Sequence, residues 1–136
     1  MTQTKATSKP VKTTLAPMLS VRHGARAVDF YKTAFGAKEL FLLEDGGSVI
    51  AQLSVGASEF WLADESPAHQ NFSPETLGGS SAHMVLVVSD PDATFDQAIA
   101  AGAAPISAVM DQEYGWRVGR VVDPFGHHWE IGKPLS

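Results

Sequence analysis

Near the C-terminus the chain reads VVDPFGHHWEIG, from Val121 to Gly132, and sets His127, His128 and Glu130 almost side by side. Imidazole and carboxylate are donors that hold borderline and hard divalent ions, and the same pair can pass a proton. A further histidine, His83, opens the apolar run AHMVLVV. If both segments are strands, successive side chains alternate between faces, so His128 and Glu130 share one face and His127 takes the other. Two arrangements are then open. In one, His83, His128 and Glu130 are three metal ligands that leave a fourth position to water, a catalytic zinc geometry. In the other, His83 and Glu130 hydrogen-bond to each other and His128 is a rim residue; a buried carboxylate needs such a partner because leaving it unpaired costs several kcal/mol.

The neighbouring residues read as scaffold. Asp123, Pro124, Phe125 and Gly126 fit the four positions of a type I turn. Asp123 is therefore expected to cap the turn, Phe125 to anchor the hairpin and His127 to face solvent after it. Other chemistries find little support. The chain has no cysteine, which removes thiolate nucleophiles and thiolate zinc sites. No G-x-S-x-G elbow and no glycine-rich phosphate loop is present. A net charge of -5 argues against a nucleic-acid surface. No apolar run is long enough to span a membrane and the N-terminus lacks a secretory apolar core, so a cytoplasmic protein is expected.

The elements that must carry these residues repeat. With 136 residues, of which 44% are hydrophobic and 18% charged, the chain has the make-up of one globular domain. Residues 1–14, rich in Thr, Ser and Lys, read as a solvated arm, and residues 15–136 as the domain. Residues 15–63 give the strand LAPMLSV, a helix with Val28, Tyr31 and Phe35 on one face and Gly36 as its stop, then FLLED, SVIAQLSV and EFWLAD as three strands. Residues 82–133 give the strand AHMVLVV, a helix capped by Asp90 with Pro91 at its first position and Gly102 at its end, then APISAVM, WRVGRVVD and HHWEIG. Both modules are β-α-β-β-β. AFGAK at 34 is answered by AAGAA at 100, and LSV at 19 by LVV at 86, almost the same displacement. The pattern predicts an internal duplication, joined by residues 64–81, whose prolines, glycines and serines exclude a long element.

Twin modules containing VDFYKTAFGA, AHMVLVV and GRVVDPFGHHWEIG resemble the vicinal oxygen chelate superfamily, which holds glyoxalases, extradiol dioxygenases and the fosfomycin and bleomycin resistance proteins. The resemblance implies an α+β fold, a curved, cup-shaped mixed sheet with helices outside and a small-molecule site within, and a homodimer. Metal-dependent relatives place ligands on the first and last strands of each module. Here His83 and Glu130 match those positions, whereas their counterparts in the first module are Ala16 and Trp61, which offer a metal nothing. The loss favours a cup lined by Trp61, His83, Trp116, Arg117, His128 and Glu130 that binds a small organic molecule with no obligatory metal. Phe60 and Trp129 are expected in the core. An acidic mouth formed by Glu59, Asp111 and Glu113 would suit a cationic, planar-ringed antibiotic of the bleomycin type. The alternative is a metal-dependent lyase or isomerase in which a divalent ion sits on His83, Glu130 and His128 and Glu130 is the catalytic group.

Overall fold

The computed structural model of the protein describes residues 9–136, so residues 1–8 of the expected arm lie outside the described residues. Residues 9–17 run without regular structure. The first module consists of β1 (Met18–Val21), α1 (Gly24–Phe35), β2 (Lys38–Asp45), β3 (Ser48–Val55) and β4 (Ser58–Asp64). A 3-10 turn (Pro67–His69) and the single turn α2 (Pro74–Leu77) fill the join. The second module consists of β5 (His83–Val87), α3 (Pro91–Ala101), β6 (Ala104–Asp111), β7 (Trp116–Val122) and β8 (His128–Pro134). The α+β fold with two β-α-β-β-β modules is as the sequence predicts.

Each module forms its own four-stranded sheet, in the orders β1-β4-β3-β2 and β5-β8-β7-β6. The edge strands β1 and β5 pair in parallel with β4 and β8, and the remaining pairs are antiparallel. Strand β1 is shorter than LAPMLSV suggests. Pro17 has no N–H to give to a ladder, so its carbonyl alone takes part, accepting from Trp61 N at 2.9 Å. Local chemistry sets the helix ends. Gly36 adopts the left-handed conformation with φ of 67° that stops α1, and the Asp90 carboxylate accepts from Ala93 N at 3.1 Å to start α3.

Strand alternation decides what is buried. Val49, Ala51 and Leu53 of β3, Phe60 and Leu62 of β4, Val121 of β7, and Trp129 and Ile131 of β8 turn toward the helices and are buried. They meet Ala27, Val28, Phe30, Tyr31 and Ala34 of α1 and Ala98 of α3 in one core shared by both modules. The Tyr31 ring lies 5.4 Å from both Phe60 of the first module and Trp129 of the second. Each such aromatic contributes about 1.5–3 kcal/mol by burial. Phe60 and Trp129 are thus core residues, as expected.

A polar tie crosses this core. Asp123 is 4% exposed. Its Oδ1 accepts from the backbone N–H groups of Phe125 and His127, both at 2.9 Å. Its Oδ2 accepts from Trp129 Nε1 at 3.0 Å and from the Tyr31 hydroxyl. Burial, and then the adjacent Asp123 charge, push the Tyr31 phenol well above its ordinary range. Asp123 therefore does more than cap its turn: it joins α1 to the second module. The solvent-facing position expected for His127 is corrected. That residue is buried, and its Nε2 donates to Ser20 O of β1 at 2.9 Å. The turn tips its ring against β1, where the Ser20 carbonyl accepts the imidazole N–H.

Candidate functional site

The faces turned away from the helices are open, and there the chemistry-bearing residues collect. On β5 the pattern is strict: His83, Val85 and Val87 are exposed and alternate with half-buried Met84 and Leu86. Register places His83 beside His128, Val85 beside Glu130 and Val87 beside Gly132. Across β7, Glu130 is registered with Arg120, and His128 with Val122. His83 Nε2 lies 3.1 Å from Glu130 Oε1. Beside them, Arg120 Nε donates to His128 Nδ1 at 3.2 Å. Partial burial, and then the Arg120 charge, lower the His128 pKa from its ordinary value, which favours the neutral ring that this bond requires. Next to Glu130 is a hollow of about 190 Å³ lined by Val85, Tyr114, Trp116, Val118, Glu130 and Gly132.

His83, Trp116, His128 and Glu130 therefore lie on one inner face. Arg117 does not. Its guanidinium bonds Asp92 of α3 through Nε and NH2, both at 2.8 Å, and Asp111 of β6 through NH1 at 3.0 Å. These bonds raise its pKa, with Asp92 the larger cause. Arg117 lies on the helix side of β7, because Trp116, Val118 and Arg120 occupy the alternate places. The inner-face cation is Arg120, whose spacing from Trp116 along the strand is the signal in the sequence that places the two on one face. Asp111 is likewise tied to Arg117, and Glu113 is exposed beyond the strands.

In the first module the equivalent face is apolar. Trp61 is half-buried, with its ring 6.0 Å from that of Phe41 on β2. Register puts Met18 on one side of Trp61 and Gln52 on the other. Gln52 Nε2 donates to Glu59 Oε1 at 2.9 Å, so Glu59 already has a partner. Met18, Phe41, Leu43 and Ile50 are all more than a third exposed.

The metal arrangement can be tested on these donors. Among the described residues no group of three His, Asp or Glu side chains could hold an ion. His83 and Glu130 face each other, but His128 Nδ1 is taken by Arg120, whose charge would oppose a bound cation. Ala16 and Trp61 have no donor to add. Together these residues offer an ion two facing donors, His83 and Glu130.

Comparison with known proteins agrees with this architecture. An uncharacterised protein of Mycobacterium tuberculosis is 40% identical over 130 residues, which cover 92% of this chain and 76% of that one. A solved Arabidopsis thaliana gene product superposes with a TM-score of 0.66 at 32% identity, covering 90% of this chain and 98% of that one. The genomically encoded fosfomycin resistance protein FosX of Listeria monocytogenes superposes with a TM-score of 0.71 at 12% identity, covering 92% of this chain and 95% of that one, a likeness of fold alone. The model of the Glyoxalase/Bleomycin resistance protein/Dioxygenase superfamily matches residues 14–131, and the chain belongs to that superfamily.

Proposed function

We propose that the protein binds a small organic molecule on the inner faces of its sheets without a metal ion, and that two copies close the site between them. The observation that carries this reading is the pairing of opposites at equivalent positions, Trp61 on one inner face and Glu130 on the other. An indole beside Phe41 offers a flat ring a stacking surface, while His83, Arg120 and Glu130 offer polar groups to orient it. The metal-free part rests on Ala16 and Trp61, and on the engagement of His128 by Arg120.

Closure by a second copy is supported by size and by exposure. The hollow of about 190 Å³ beside Glu130 is smaller than the ~300–1,000 Å³ of ordinary ligand pockets. A second wall is needed, and Met18, Phe41, Leu43 and Ile50 are an apolar surface of the kind that seeks cover. The edge strand β5 has one side outside the ladder, which strand pairing with another copy would satisfy. An antibiotic is one ligand class to try, given the FosX-like fold.

The test is a thermal-shift panel that includes fosfomycin and bleomycin, run before and after dialysis against a chelator, with sedimentation to read the assembly. At least one ligand is expected to stabilise a dimer equally in both conditions. A stoichiometric divalent ion whose removal abolishes binding would overturn the metal-free reading, and a monomer that binds at full affinity would overturn closure by a second copy. The His83–Glu130 contact favours a second reading, in which Glu130 takes a proton next to a ligand carbonyl while His83 orients it. Under that reading Glu130→Gln abolishes turnover and leaves ligand binding intact.

A further inference from the structure

Arg120 stands on β7 between Ser107 of β6 and Glu130 of β8. Its registered neighbour Glu130 is engaged by His83 at 3.1 Å. Arg120 itself bonds through Nε to a neutral-favouring imidazole, His128. Among the described residues no carboxylate lies within ion-pair distance of Arg120, and its two terminal nitrogens make no hydrogen bond, whereas Arg117 on the other side of the same strand holds two aspartates. His128 thus fixes one edge of the guanidinium without cancelling its charge. The free edge is a planar fork of N–H donors, whose geometry matches the paired oxygens of a carboxylate or phosphonate. Val118 and Trp116 continue the same face of β7 away from it and can carry a ring.

We infer that the ligand of the inner face carries an organic oxyanion attached to a flat apolar body, and that Arg120 is the residue that selects it. This rests on the small-molecule reading given above. It also reverses the cationic ligand suggested by the acidic composition, because Asp111 is paired with Arg117 and Glu59 is hydrogen-bonded by Gln52, while the cation of the inner face has no carboxylate partner.

The experiment is calorimetric titration of the full chain with three probes of one shape: 1-naphthoate, 1-naphthamide and 1-naphthylmethylammonium. Naphthoate is expected to bind at least about tenfold more tightly than the amide, the increment of one charge-assisted bidentate contact, with the ammonium weakest. Arg120→Gln should erase the preference of acid over amide and Arg120→Lys should keep part of it. Trp116→Ala should weaken both probes together and leave their ratio unchanged. Circular dichroism and the melting temperature establish that each variant is folded. Should Arg120→Gln fail to fold, the Arg120 Nε–H resonance of the unaltered protein is expected to move on adding naphthoate and to stay in place with the amide. Equal binding of acid and amide by the unaltered protein, or a folded Arg120→Gln that keeps the preference, overturns the oxyanion inference while leaving small-molecule binding standing. Binding of none of the three overturns both.

Discussion

Trp61 and Glu130 hold the same place on the last strand of their modules. One is flanked by Met18 and Gln52, the other by Val85 and Arg120. Two residues before Met18 stands Ala16, and two before Val85 stands His83. On the helix side the two sheets are alike, since Phe60 and Leu62 answer Trp129 and Ile131 and all four are buried in one core. The modules therefore agree where packing constrains residue type and differ where it does not. A backbone plan used twice has produced an apolar platform and a polar, titratable one.

The largest effect is expected where the modules share a foundation. Asp123→Ala would leave the Tyr31 hydroxyl, the Trp129 indole N–H and two backbone N–H groups without their acceptor. It should cost about 3–5 kcal/mol in urea unfolding, and a loss near zero would show that the inter-module tie is not needed. Next comes the attempt to make the faces equal. Ala16→His combined with Trp61→Glu gives the first module the donor pair of the second. Manganese or zinc at about a hundred times its dissociation constant should then stabilise the variant by about 2.7 kcal/mol and leave the unaltered protein unmoved. An equal rise in melting temperature for both proteins would overturn the metal-free reading.

A smaller effect tests how closely the strands approach. Gly132 is the counterpart of Ala63, but a Cβ at Gly132 would lie 2.7 Å from Arg117 O and 2.9 Å from the Val118 side chain. Gly132→Ala should cost about 1–3 kcal/mol by chemical denaturation, whereas Ala63→Gly should cost about 0.5–1 kcal/mol. The smallest effect is in pH. Because His128 is held below its ordinary pKa in the folded chain, the unfolded chain takes up the proton first as pH falls. The stability concerned is intact above the unfolded value of about 6.5 and declines below it. His128→Gln should flatten the unfolding midpoint against pH in that range, and an unchanged slope would place the titration elsewhere.

The repeat, both helices with their stops, the core roles of Phe60 and Trp129, and the inward placing of His83, His128 and Glu130 were all legible in the sequence, because each follows from local periodicity or from a turn. Four residues were not. Arg117 and Arg120 sit on opposite faces of one strand, and only the partner of each, Asp92 on α3 or His128 on β8, identifies which of them meets a ligand. His127 alternates away from Glu130 as expected, yet its ring is buried because β1 of the other module brings Ser20 O within reach. Asp123 looks like a turn residue from its neighbours alone. Its bond to Tyr31 spans most of the chain, and no local pattern reports it.

Spacing along the chain specifies the elements, their order, their duplication and which side chains share a face. Residue type also denies the first module a metal donor at the position of Trp61. These depend on interactions between residues a few places apart, which spacing records. Long-range packing alone merges the two helix faces into one core through Asp123 and His127, brings His83 to Glu130, and leaves Arg120 as the inner-face cation without a carboxylate. Those outcomes depend on which distant groups approach within hydrogen-bonding distance, and strand register and sheet packing set that distance.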